Sequence, residues 1–122
     1  MDKKNIENFL DDFYAKVRED ELLGEIFNNE VSNWGSHLNK VLVFWVHHTL
    51  EPGLYKGNLL KIHQKLDEKW PLSLEHFQRW LKIFEFTAGD YFDDADFKKL
   101  CLKARIVAGT LYGRIHNLPL EV

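Results

Sequence analysis

Four residues whose side chains can hold or polarise a ligand stand on otherwise apolar helical faces: Tyr14, His37, His63 and Trp80. Around His63, a helix from about Asn58 to Leu66 would bring Leu59, Leu60, His63 and Leu66 to one side through the (i, i+3) and (i, i+4) spacings. A neutral imidazole there can coordinate a metal ion, or it can be a core histidine with both ring nitrogens hydrogen-bonded. His37 shares the edge of an apolar stripe with Val41, Phe44 and His48. Tyr14 borders the stripe of Phe9, Phe13 and Val17, so its ring can be buried while its hydroxyl needs a partner. Trp80 shares a face with Phe77, Leu81 and Phe84, and its indole N–H can only donate. Each has a structural explanation when taken singly. Together, Tyr14, His37 and Trp80 supply three polar tips to one apolar cavity, which is what a small-ligand site requires.

The remaining candidates are weaker. His47 falls on the polar side of its helix and reads as a solvated residue, His48 is intermediate, and His76 and His116 read as exposed. His63 and Asp67 lie one turn apart, but no second pair at helical spacing completes a non-haem metal site. Cys101 has no adjacent base, so a thiol nucleophile is not expected.

The elements that must position these residues are all helical. Ile6, Phe9, Leu10, Phe13 and Val17 keep helical spacing, and Leu22, Leu23, Ile26 and Phe27 continue in a shorter segment. A third helix begins at Ser32 or Asn33, carries the stripe Trp34, Leu38, Val41 and Trp45, and ends near Leu50 before Pro52-Gly53. The short His63 segment follows a loop from Glu51 to Gly57, and Trp70-Pro71 breaks the chain ahead of a cap at Ser73. The next helix buries Phe77, Trp80, Leu81, Phe84, Ala88 and Tyr91. The acidic run at Asp93 then caps a last helix carrying Phe97, Leu100, Cys101, Ala104, Ala108, Leu111 and Ile115. No segment alternates with period two, so the fold class is all-α. Residues 1–122 read as one domain, with no repeat or linker.

Composition narrows the function classes. At 122 residues a core forms without disulfides, so a cofactor would serve function before folding. The net charge of −3 and the lack of basic blocks argue against a nucleic-acid partner. The longest apolar run, Val41 to Val46, is too short to span a membrane, and a soluble cytoplasmic protein is expected. With Cys101 as the sole cysteine there is no C-x-x-C-H attachment site, so any haem would be bound non-covalently.

In order, Phe13-Tyr14, Val17, Leu23, Ile26-Phe27, Trp34, His37-Leu38, Phe44-Trp45, Tyr55-x-Gly57, His63, His76-Phe77 and Trp80-Leu81-x-x-Phe84 resemble the truncated haemoglobins, specifically group III. The likeness runs from about Asn5 to Ala108, and the glycine pairs typical of the other two groups are missing. It implies a shortened globin fold: a two-on-two antiparallel helical sandwich around one b-type haem, iron protoporphyrin IX. It further implies His63 as proximal iron ligand, with Leu59 offering the carbonyl that orients its other nitrogen. Tyr14 and Trp80 become distal donors, and His37 a distal residue that either ligates the iron or leaves that face to the two donors. Val41, Phe44, Phe77 and Phe84 become haem contacts. One departure stands out: Gln64 to Pro71 replaces a more proline-rich turn, which implies a looser or differently shaped proximal side.

The expected function is binding of O2, NO, CO or peroxide, in a monomer, for redox chemistry or detoxification rather than bulk O2 transport. Oxidation of NO or reduction of peroxide would need an external reductase, because no flavin or nicotinamide motif is present. The rivals are a cofactor-free helical interaction module and a gas or redox sensor.

Overall fold

The computed structural model describes residues 1–118 and contains six helices. They are α1 (Lys3–Glu19), α2 (Gly24–Glu30), α3 (Trp34–Thr49), α4 (Leu59–Lys69), α5 (Leu74–Ala88) and α6 (Asp94–Ile115). No strand occurs among the described residues, in line with the sequence pattern. Side-chain caps fix most of the starts. Asp2, Asn33, Asn58 and Asp93 each accept a backbone N–H three residues on, satisfying donors that the first helical turn leaves unpaired. At Ser73 the bond runs in the other direction: the backbone N–H donates to His76 Nδ1 at 3.0 Å.

The long helix α1 packs against α2, α3 and α5; α5 pairs with α6, and α6 is the main neighbour of α4. Burial follows from that arrangement. Ile6, Phe9, Leu10, Phe13 and Val17 of α1 enter one cluster with Trp45 of α3, Phe84 of α5 and Leu100 of α6. Aromatic edges meet faces throughout: Phe9 and Phe84 cross at 84° with centroids 4.9 Å apart, and Phe13 and Trp80 cross at 90° at 5.5 Å. Gly24 permits the tight α1–α2 corner, since a Cβ there would stand 2.6 Å from the Arg18 carbonyl oxygen.

Three details depart from the sequence expectations. In α3 the fully buried residues are Leu42, Phe44, Trp45 and Val46, while Trp34, Leu38 and Val41 are half-buried. The cause is covering from two sides: Trp45 meets Phe84 of α5, and Phe44 meets Tyr55 from the following loop. Helix α4 runs past Leu66 to Lys69 and stops only where Trp70 precedes Pro71. Tyr91 lies beyond the end of α5, in a turn where its hydroxyl donates to Asp12 at 3.0 Å. Among the described residues, no helix is long and apolar enough to cross a membrane.

Phe84 and Phe86 give an internal test of this burial, at 0 % and 71 % exposed. Phe84→Ala is expected to cost about 3 to 5 kcal/mol in urea unfolding and Phe86→Ala less than about 0.5 kcal/mol. Equal losses would contradict the packing described.

Candidate functional site

Tyr14 is the point where the aromatic core turns polar. It is buried near the middle of α1, with its ring 4.8 Å from Phe13, 5.8 Å from Phe27 and 5.3 Å from the imidazole of His37. Burial pushes the phenol far above its ordinary range, opposed by the neighbouring indole of Trp80, so the hydroxyl keeps its proton and can donate. Trp80 is held from two sides, stacked on Phe84 at 5.1 Å and edge-on to Phe13.

His37, in the first turns of α3, completes the group. Its ring lies between Tyr14 and Trp34, both at 5.3 Å. Burial first, then the charge of Lys40, lowers its proton affinity, so the neutral imidazole is favoured. Its Nε2 is buried without a hydrogen-bonding protein partner. A buried polar atom left unpaired costs on the order of 1 kcal/mol or more. Tyr14, His37 and Trp80, singled out as polar tips, are thus gathered into one aromatic-walled group.

His63 stands apart from them on α4. Its Nδ1 lies 2.8 Å from the Leu59 carbonyl oxygen. A carbonyl only accepts, so Nδ1 must carry the proton and Nε2 the lone pair. Burial, opposed by the Leu59 bond, lowers the pKa and favours this neutral form. Leu59, Leu60, His63 and Leu66 are all half-buried, and α4 has no fully buried residue. The helix therefore presents an apolar face with one oriented nitrogen lone pair.

A lone pair of that kind suits a transition-metal ion. No group of three or more His, Cys, Asp or Glu able to hold a bare ion occurs among the described residues. One protein ligand on an apolar face fits a metal that arrives in its own chelate, with hydrogen-bond donors on a separate wall for a small exogenous ligand.

The other sequence candidates fall in several places. Val41 is half-buried against the core, and Phe44 lies 4.5 Å from His48 and 5.0 Å from Tyr55. Phe77 packs on Tyr112 of α6, whereas Phe84 is enclosed by the core. His47 corrects the expectation of a solvated residue: it is half-buried, and its Nδ1 accepts the backbone N–H groups of Gly53 at 2.8 Å and Tyr55 at 3.2 Å. It thereby shapes the loop leading to α4, a role the Pro52-Gly53 turn close behind it could have signalled. Within the same loop, Tyr55 folds over Gly57, where any Cβ would collide with its hydroxyl. His76 is half-buried in its capping role, and His116 is exposed yet lies 2.7 Å from the Leu72 carbonyl oxygen. Cys101 is buried, and burial pushes its thiol up to about 11, which leaves it unreactive.

No protein-family profile matches the chain. It is similar to the group 3 truncated hemoglobin ctb of Campylobacter jejuni, at 32% identity over 121 residues covering 96% of this chain and 93% of that one. The structure is likewise similar to the crystal structure of a group III truncated hemoglobin from Campylobacter jejuni. Here the TM-score is 0.86 at 30% identity, covering 94% of this chain and 91% of that one.

The unpaired His37 nitrogen makes a prediction that needs no ligand. His37→Leu should stabilise the cofactor-free protein, or leave it unchanged, by removing a buried atom that gains nothing. A folded-state pKa below the ordinary 6.5 means that the unfolded chain takes up this proton first as pH falls. Stability therefore declines as pH drops below about 6.5, and the decline should be shallower in His37→Leu. Urea midpoints at pH 7.5 and 5.5 measure both effects, and a variant clearly less stable at pH 7.5 would show that Nε2 is satisfied.

Proposed function

The chain belongs to the group 3 truncated haemoglobins, and from that premise we propose that it holds a b-type haem through His63 and binds a small diatomic ligand beneath Tyr14 and Trp80. The observation that carries this reading is the His63–Leu59 bond, which leaves Nε2 as a free lone pair on the apolar face of α4. When bound, ferrous haem supplies an open coordination position able to take O2, NO or CO.

The chain's own residues define what happens there. Leu59 keeps the proton on His63 Nδ1 and raises the basicity of Nε2. Leu60, Leu66 and Val41 offer apolar contact, as do Phe44 and Phe77, while Phe84 acts from behind by stacking on Trp80. Tyr14 and Trp80 present an O–H and an N–H toward a ligand carrying partial negative charge, and the surrounding rings limit competition from water. His37 stands beside Tyr14, with its neutral Nε2 free to ligate the iron or to receive a hydrogen bond.

Donors of this kind lengthen the residence of a ligand, which suits reaction of bound O2 with NO, or turnover of peroxide, better than release for transport. We propose such redox or detoxifying chemistry in the cytoplasm, supported by an external reductase.

Protein titrated with haemin should develop a Soret band that CO shifts. His63→Gly should weaken or displace that band, and added imidazole should restore it. Tyr14→Phe and Trp80→Phe should each release O2 roughly 2- to 12-fold faster, corresponding to a lost hydrogen bond of about 0.5 to 1.5 kcal/mol. A folded protein that takes up no haem would establish a cofactor-free helical module instead.

A further inference from the structure

Asp20 sits at the C-cap of α1, with its side chain 13 % exposed and both carboxylate oxygens engaged. Oδ2 accepts the backbone N–H groups of Leu22 at 3.0 Å and Leu23 at 2.9 Å, which brings the chain into α2. Oδ1 receives Arg79 Nη1 of α5 at 2.7 Å. Burial favours the protonated acid, but the N–H groups of Leu23 and Leu22 and the guanidinium outweigh it and hold the carboxyl below its usual range.

One carboxylate therefore ties together three helices, and each of the three contributes to the group around Tyr14. Helix α1 carries Tyr14 itself; α2 carries Phe27, 5.8 Å from Tyr14 and 6.4 Å from His37. Helix α5 carries Trp80, the residue directly after Arg79. The aromatic contacts between α1 and α5 seat Phe13 edge-on against Trp80. The Asp20–Arg79 bond adds a charge-assisted contact of 2.7 Å one residue away from Trp80.

We propose that Asp20 and Arg79 are positioning residues for the distal donors: their ion pair sets the relation between the Tyr14 hydroxyl and the Trp80 indole, and so controls how long a diatomic ligand is retained. The inference rests on the haem reading above. Arg79 touches no ligand; it acts through Trp80.

The test uses haem-loaded protein and the variants Asp20→Asn, Arg79→Gln and Arg79→Lys. Asn keeps an acceptor for the α2 N–H groups, and Gln keeps a side chain that can pack, so both should fold. The C–O stretching band of the CO complex should shift or split in Asp20→Asn and Arg79→Gln, and O2 should dissociate roughly 3- to 10-fold faster. Arg79→Lys should restore much of the wild-type behaviour, and the double variant Asp20→Asn with Arg79→Gln should be no worse than either alone. In a Trp80→Phe background, Arg79→Gln should change the O2 rate by less than about twofold. A lowered urea midpoint with the CO band and O2 rate unchanged would make the pair purely structural and overturn the inference. If Tyr14→Phe speeds O2 release while Arg79→Gln does not, only this inference fails. Absence of haem uptake by the wild-type protein overturns the haem reading, and this inference with it.

Discussion

The edge-to-face contact of Phe13 on α1 with Trp80 on α5 is the constraint on which the rest of the site depends. Phe13 is completely buried, and its ring also meets Tyr14, Phe9 and Phe84, so it cannot rotate or shift without breaking several contacts at once. Tyr14 is the next residue along and must follow. Phe13 therefore brings the Tyr14 ring and the Trp80 indole to neighbouring positions. Apolar packing brings the two rings together, and the polar bond between Asp20 and Arg79 fixes how their helices meet beside it.

Two histidines of similar chemistry are set to different tasks by what binds their second nitrogen. In α4, Leu59 holds the proton of His63 on Nδ1 and leaves an oriented lone pair. At the end of α3, His47 uses its Nδ1 as the acceptor for two backbone N–H groups and becomes a brace for the loop. Both residues are half-buried. The partner of Nδ1 decides what each imidazole has left to offer: a lone pair on Nε2 in His63, an N–H on Nε2 in His47.

This also explains what was legible in the chain. Helical spacing places Tyr14, His37 and Trp80 on inward faces, and a carbonyl one turn before His63 is a local consequence of helix geometry, so each is readable from nearby residues. Side-chain caps at Asn33 and Asn58 are local too. What was not legible arises from residues distant in the chain. Asp20 and Arg79 carry no pattern that announces their pairing across 59 positions. The burial of Phe44 and Trp45 depends on Tyr55 and Phe84, which only the tertiary fold brings against α3. The bracing role of His47 lies outside what a helical wheel can display, because its partners sit in the loop beyond the helix.

The helix that carries His63 is also the one least secured by the core. Helix α4 contains no fully buried residue, and its main neighbour is α6 alone. Its ends are held by polar bonds: Asn58 caps the start, Asp67 accepts the N–H of Leu72 at 2.7 Å, and Trp70 donates to Glu30 of α2 at 2.6 Å. Such tethers fix where a helix lies while leaving its apolar face with little free energy of its own, so local opening there should cost less than opening of α1. A ligand that covers Leu59, Leu60 and Leu66 and bonds to His63 would add its binding free energy to this weakest element. The arrangement places the tightly packed aromatic core around Tyr14 and Trp80 and the loosely packed face around His63, which is the division of labour that the proposed haem site would need.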